Sequence, residues 1–230
     1  MKKIILLLSI ILFFYCLLNI IIWHIDNKHT KDIIIEINKG IIPNNNERII
    51  DLNYYIKMNK DTIGFLIVKN TNIKYPFVQT NNNSYYLNHS FDKTQSNSGW
   101  LFMDYKNNFD DKNIVIYAHA RKDGSMFGTL KNTIKKNWYI NKDNHIITLI
   151  TKDKTFQYQV FSTYIIDTEN YYITTHFNND LDYQTFLNTI SKRSIYNYKV
   201  KLNTNDKILT LSSCYSNNKK IVLHAKRLIN

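Results

Sequence analysis

The sequence predicts a mostly β domain held behind an N-terminal membrane helix, and three observations carry that expectation. Residues 4–23 read IILLLSIILFFYCLLNIIIW, an apolar run in which Ser9 and Asn19 are the strongly polar members. From Thr62 onward about eight short apolar or alternating segments follow one another with few helical stretches between them, the pattern of a barrel or sandwich. The 230 residues also include 17 Tyr and 12 Phe, side chains that suit half-buried pleated surfaces. Disorder is excluded for most of the length, and two full domains would be cramped.

The apolar run is long enough to cross a hydrocarbon core of about 30 Å as a helix. Lys2 and Lys3 precede it, which favours a cytoplasmic N-terminus; Trp23 at its end suits the membrane interface. No small-x-small cleavage site follows, so an uncleaved single-pass anchor over 1–25 is expected, with the rest of the chain outside the cell. Residues 26–60 read as a stalk and N-terminal helical segment, with a loop at Ile42–Asn46. Residues 61–230 read as the globular β domain.

Within that domain the expected strands are 63–68, 73–78, 98–103, 113–118, 146–150, 156–164, 207–212 and 221–225. Residues 156–164 alternate strictly, so one face is expected to be wet. Helical interruptions are expected near 125–136 and 180–192, the second with Leu181, Phe186, Leu187 and Ile190 on one face.

The formal charge of +12 comes mainly from lysines, many of them beside asparagines, and reads first as compositional bias. It also suits attraction to an anionic cell wall or lipid surface. No clustered basic stripe or recognisable module supports nucleic-acid binding. No acidic cluster or metal-ligand spacing calls for a metal, and no cofactor is expected.

Cys16 lies in the apolar run, which leaves Cys214 as the one thiol of the exported part. It follows the apolar strand Ile208–Leu211 and precedes the polar run YSNNKK, a position both held and exposed. The thiolate is the reactive form, so a partner is needed. His119 stands at the end of another apolar strand and is the best candidate; a surface or capping histidine is the bland alternative. His224 sits inside the last strand, where a satisfied core histidine or a surface histidine is expected rather than a catalyst. Lys219 and Lys220 are placed to fold back beside Cys214 as donors to a developing oxyanion.

With those residues in view, the chain resembles the class B sortases of Gram-positive bacteria. The stretches that carry the resemblance are TIGFLIVKNTNIKYPFVQ, NNSYYLNHSF, SGWLFMDYKNN, NIVIYAHARKDGSMFGTL, TNDKILTLSSC and KKIVLHAKRLI. The resemblance implies a closed β-barrel of about eight strands with N-terminal helices and one or two inserted helices. It implies a cysteine transpeptidase acting through a thioacyl-enzyme on a C-terminal motif like Asn-Pro-x-Thr-Asn in secreted proteins. The acceptor would be a cell-wall peptide amine or an amine of another protein. Cys214 would be the nucleophile, His119 the general acid and base, and Asn83, Leu87, Thr168, Tyr172, Ile173 and Ser212 would line the substrate groove. The alternative is a catalytically impaired surface module that binds such peptides or cell wall without turnover.

The chain departs from the family pattern at Lys220, which stands where the family has an arginine. Arg227 lies at an odd offset on the strand and is expected on the opposite face; Arg121 is a conceivable substitute. Lesser departures are Ala118-His119-Ala120, where the family often has Gly-His-Asn, and Ser213 in place of Thr.

Overall fold

The structure, a computed structural model, describes residues 2–44 and 47–228. A single helix, α1 (Lys2–Asn38), contains the apolar run and continues through the expected anchor–stalk boundary without a break. It contains neither Gly nor Pro, so nothing in its sequence interrupts the helical hydrogen bonds. A two-stranded ribbon follows, β1 (Ile41–Asn44) and β2 (Glu47–Ile50), where the sequence reads as loop and helix; the tip at 45–46 lies outside the described residues. The helix expected from residue 47 therefore shortens to α2 (Leu52–Met58), started by Asp51, whose side chain accepts from the Tyr54 amide at 3.2 Å.

Eight strands close a barrel: β3 (Thr62–Val68), β4 (Lys74–Val78), β5 (Phe102–Met103), β6 (Asn113–Tyr117), β7 (Ile146–Ile150), β8 (Thr155–Asp167), β9 (Ile208–Ser216) and β10 (Lys219–Arg227). Their order around it is β10-β8-β7-β3-β4-β5-β6-β9, with β9 returning to β10. All neighbours are antiparallel except β4–β5 and β6–β9.

Two departures from the expected strands matter. The segment 98–103 supplies a strand of two residues, because Gly99 takes a left-handed turn (φ 57°) and the Trp100 amide turns away to Tyr86 O. At the other end, β9 does not stop at Ser212 but runs through Cys214 to Ser216. YSNNKK is thus the tip of a tight β9–β10 hairpin rather than a loop.

The strand faces sort into two cores. Leu209, Leu211, Ile221, Leu223 and Ala225 belong to the larger core, which continues under Ile37 of α1 and under α2. The alternate residues Ile208 and Val222 face outward into a second core, built with Phe161, Tyr164, Tyr172 and the apolar side of α4 (Asp180–Lys192). In α4 the buried set is Tyr183, Phe186, Leu187 and Ile190, and Leu181 is solvent-exposed. At 100° per residue Leu181 falls on the far side from Tyr183, which corrects the expected face. Burying each of these large side chains contributes about 1.5–3 kcal/mol. The other expected helix, near 125–136, appears as a 3-10 turn (Leu130–Ile134) and a short α3 (Lys136–Ile140). The Thr133 hydroxyl donates back to Leu130 O at 2.8 Å there, competing with a regular helix.

Candidate active site

Parallel neighbours β6 and β9 bring the two reactive side chains to one end of the barrel. Their register pairs Tyr117 with Ser212. One step on, the Ala118 amide donates to Ser212 O at 3.4 Å, and the Ser213 hydroxyl donates to Ala118 O at 2.7 Å. His119 and Cys214 are the next residues on the two chains. Ser213, one of the departures from the family pattern, is thus the clasp between the strand ends that carry His119 and Cys214.

The hairpin supplies the third group. The β9–β10 register steps from Lys219↔Ser216 to Lys220↔Cys214, leaving Tyr215 as an extra, bulged residue on β9. That step sets Lys220 directly across from Cys214, and the Lys220 ammonium donates to Sγ at 3.1 Å. Cys214 is exposed and Lys220 half-buried. Both side chains project from the outward face of the hairpin, in line with Ser212 and Val222.

The His119 ring is fixed by two contacts from the segment between β4 and β5. Its Nε2 lies 2.7 Å from Leu87 O. A carbonyl accepts and never donates, so Nε2 carries the hydrogen and Nδ1 is left for proton transfer. A Cβ built on Gly99 would stand 2.8 Å from His119 Cδ2 and 2.6 Å from Tyr86 O, so a glycine is required beside the ring. The His119 carbonyl accepts from the Phe127 amide at 2.9 Å, anchoring the loop after it on a buried phenylalanine.

Of the expected groove residues, Tyr172 and Ser212 touch. Their hydroxyls are 3.0 Å apart, and both residues are buried. Burial pushes the Tyr172 phenol up, with the bond to Ser212 and the charge of Lys220 acting against it, so it stays a neutral hydroxyl. Leu87 is exposed beside His119, with its carbonyl on the ring. Ile173 is half-buried in the 3-10 turn Tyr171–Ile173. Thr168 is exposed, and its amide donates to Asn218 O at the hairpin tip at 3.1 Å. Asn83 is engaged elsewhere: its Nδ2 donates to Asp104 at 2.8 Å and its Oδ1 accepts from the Tyr105 amide at 2.9 Å. Asp104 also accepts from the Tyr117 hydroxyl at 2.9 Å, so Asn83 braces the strand that leads to His119.

A polar chain that sequence reasoning missed runs behind the groove. Thr210 donates to Asn113 Oδ1 at 2.6 Å, so it must accept from Nδ1–H of His224, 2.8 Å away. The opposite nitrogen, Nε2, then accepts from the Tyr164 hydroxyl at 2.8 Å. At the far end Asn113 Nδ2 donates to Thr174 O at 2.8 Å, which pins the turn carrying Tyr172 and Ile173. His224 is fully buried, which pushes its imidazole down to about 3 and keeps it neutral. Of the two readings its place inside a strand allowed, core or surface, the core one holds. The signal for its partners was faint: Asn113 and Thr210 are polar residues in otherwise apolar strands.

Neither arginine takes the place of Lys220. The Arg121 guanidinium bonds Ser98 and Asn27 of α1 and lies 3.4 Å from Asp123, so it fastens α1 to the domain. Arg227 sits over the Phe156 ring at 4.2 Å and donates to Phe109 O at 2.7 Å and Tyr158 Oη at 2.9 Å.

Among known proteins, the Sortase domain family model matches residues 66–228. Sortase B of Staphylococcus aureus is 37% identical over 74% of this chain and 71% of its own length. Sortase B of Listeria monocytogenes is 35% identical over 69% of this chain. The match spans 64% of that relative, just under two thirds of its length. Among solved structures, a Staphylococcus aureus sortase B–substrate complex superposes with a TM-score of 0.72 at 36% identity, covering 77% of this chain and 84% of the other. Sortase B of Bacillus anthracis reaches 0.79 at 27% identity, covering 90% of this chain and all of the other. With a matching domain, curated relatives above 30% identity and the same closed barrel, the chain belongs to the sortase family, among its class B members.

Proposed function

We propose that the chain is a membrane-anchored cysteine transpeptidase in which Cys214, His119 and Lys220 carry the chemistry. The observation that carries the reading is the cross-strand pair of Lys220 and Cys214 at 3.1 Å, beside the strand that ends at His119. The Cys214 thiolate attacks the Thr carbonyl carbon of a sorting motif like Asn-Pro-x-Thr-Asn, forming a C–S bond. As the C–N bond breaks, protonated His119 gives a proton to the departing amine. A second amine then attacks the thioacyl carbon, His119 takes its proton, and Cys214 leaves as thiolate. Lys220 pairs with the thiolate and keeps donors for the oxyanion of each tetrahedral intermediate.

The relatives support the substrate classes. A Staphylococcus aureus sortase B is described with a substrate, and another sortase B with triglycine, a peptide amine. Groove contacts fall to Leu87, Thr168, Tyr172, Ile173 and Ser212, with Asn83 acting through Asp104. Residues 4–23 hold the chain in the cell membrane, N-terminus inside and barrel outside; mean hydropathy reaches 2.9 in α1 and the span is unburied by the domain.

The test uses the full chain in detergent with a fluorogenic Asn-Pro-Gln-Thr-Asn peptide and triglycine. Cleavage, ligated product and a thioacyl mass on Cys214 are expected, all lost in Cys214→Ala. Lys220 in the family's arginine position favours one rival, a module that binds without turnover. Peptide binding with no adduct on Cys214, across related motifs, would establish that rival.

A further inference from the structure

α1 and the loop that follows His119 enclose a cleft of about 450 Å³ whose chemistry the transpeptidation reading does not use. Lys28 and Lys31 enter it from α1, and Arg121 and Lys122 from the loop. Asp123 is the one carboxylate in its wall, and it already accepts from Ser125 at 2.7 Å and lies 3.4 Å from Arg121. Among the described residues no carboxylate forms a salt bridge with Lys28, Lys31 or Lys122. Asp26 and Asp32 do not offset them there, because at 100° per residue both fall outside the arc of α1 that lines the cleft.

The depth of the cleft identifies what fills it. Trp23 forms its membrane-side edge and is also the last residue of the apolar run. At 1.5 Å per residue Lys28 and Lys31 stand about 8 and 12 Å further along the axis, in and just above the headgroup layer. The placement is rigid: besides the Arg121 bonds to Asn27 and Ser98, Thr30 and Ser98 hydroxyls meet at 2.7 Å and His29 pairs with Asp92 at 2.9 Å. Lysines on the outer flank of a span also oppose the usual charge bias, so they need a partner on that side.

We propose that this cleft binds the phosphate of an anionic phospholipid of the outer leaflet, clamping the loop after His119 to the membrane surface. The proposal rests on residues 4–23 spanning the bilayer. The full chain is placed in nanodiscs of equimolar phosphatidylglycerol and phosphatidylcholine, and the lipids retained after gentle release are counted by native mass spectrometry. Retention of phosphatidylglycerol over phosphatidylcholine is expected on the order of tenfold, and a Lys28→Gln/Lys31→Gln/Lys122→Gln variant is expected to lose it. A Lys60→Gln/Lys131→Gln/Lys152→Gln variant, with exposed lysines removed elsewhere, should keep it. Equal retention of the two lipids, or a preference unchanged in the cleft variant, overturns the proposal. Displacement of the lipid by inorganic phosphate assigns the cleft to a soluble anion and overturns it too. Failure of the anchor reading shows separately, as a chain that does not enter the nanodisc.

Discussion

Two of the cations on β10, Lys220 near one end and Arg227 at the other, are used in opposite ways. Lys220 faces outward, across from Cys214, with an ammonium that meets one sulfur and keeps donors to spare. Arg227, at the other end and on the inward face, has its guanidinium covered by the Phe156 ring and bonded to Tyr158 and Phe109. Two of the three guanidinium nitrogens are engaged where β10 meets β8, whereas a compact point charge keeps free donors beside the proposed nucleophile. The general lesson is that engagement decides role: a cation held mostly by the fold serves stability, and one with most of its donors left over can serve a ligand.

That contrast can be broken most directly at Lys220. Lys220→Ala is expected to lower kcat/KM by about 10²–10³ with little change in Tm, because a transition-state donor is lost from a half-exposed position. A Tm loss with unchanged kcat/KM would reverse the two roles. Arg227→Ala should do the opposite, costing about 2–3 kcal/mol of stability with no specific loss of activity below Tm. Denaturant unfolding and kcat measured on the same sample separate these outcomes. Gly99→Ala sharpens the comparison by disturbing the wall against which the His119 ring rests. A Cβ there meets Tyr86 O at 2.6 Å and the His119 ring at 2.8 Å, so roughly a tenfold loss in kcat with a small fall in Tm is expected.

An effect spread over pH, rather than confined to one condition, concerns His224. Its folded imidazole is pushed down from 6.5 to about 3, whereas the unfolded chain takes up that proton near 6.5. Stability is therefore present above pH 6.5 and falls as pH drops through that window, by at most about 1.4 kcal/mol per pH unit for one group. His224→Gln, which keeps a donor and an acceptor without titrating, should flatten that part of the Tm–pH profile. A profile parallel to that of the native chain would show that His224 is not its source.

The residues differ in how much of this they disclosed. The apolar strands from Ile63 to Val68 and from Ile146 to Ile150 were legible because burial on one or both faces writes itself into the sequence. The wet face expected from the alternation over 156–164 holds only for its first half, because Val160 to Tyr164 are buried on both faces, between the two cores. The candidate catalytic hairpin was not legible. Ser212 and Ser213 are buried but spend their hydroxyls on Tyr172 and Ala118 O, and Cys214, Tyr215 and Ser216 are exposed, so the strand loses its apolar periodicity where it matters most. Cys214, His119 and Lys220 were still nameable from residue type and position, since thiol, imidazole and cation are scarce or purposeful at strand ends. The roles of Arg121 and Asn83 were not legible, because both depend on partners distant in sequence: Asn27 and Ser98 for one, Asp104 and Tyr105 for the other. Gly99 had a signal that went unused. The chain has five glycines, and one next to a tryptophan in a strand-like run marks a close approach.

α1 has a consequence for how the protein meets its clients. At 1.5 Å per residue it measures about 55 Å, of which some 30 Å lies in the apolar run. Under the anchoring proposed above, with no hinge residue between that run and its docking on the barrel, the domain would keep one tilt and one height and be free mainly to spin about the membrane normal and drift sideways. A client of the proposed transpeptidase that is itself tethered to the bilayer would then meet Cys214 in two dimensions and at a preset height, so much of the orientational search would be completed before the two proteins touch.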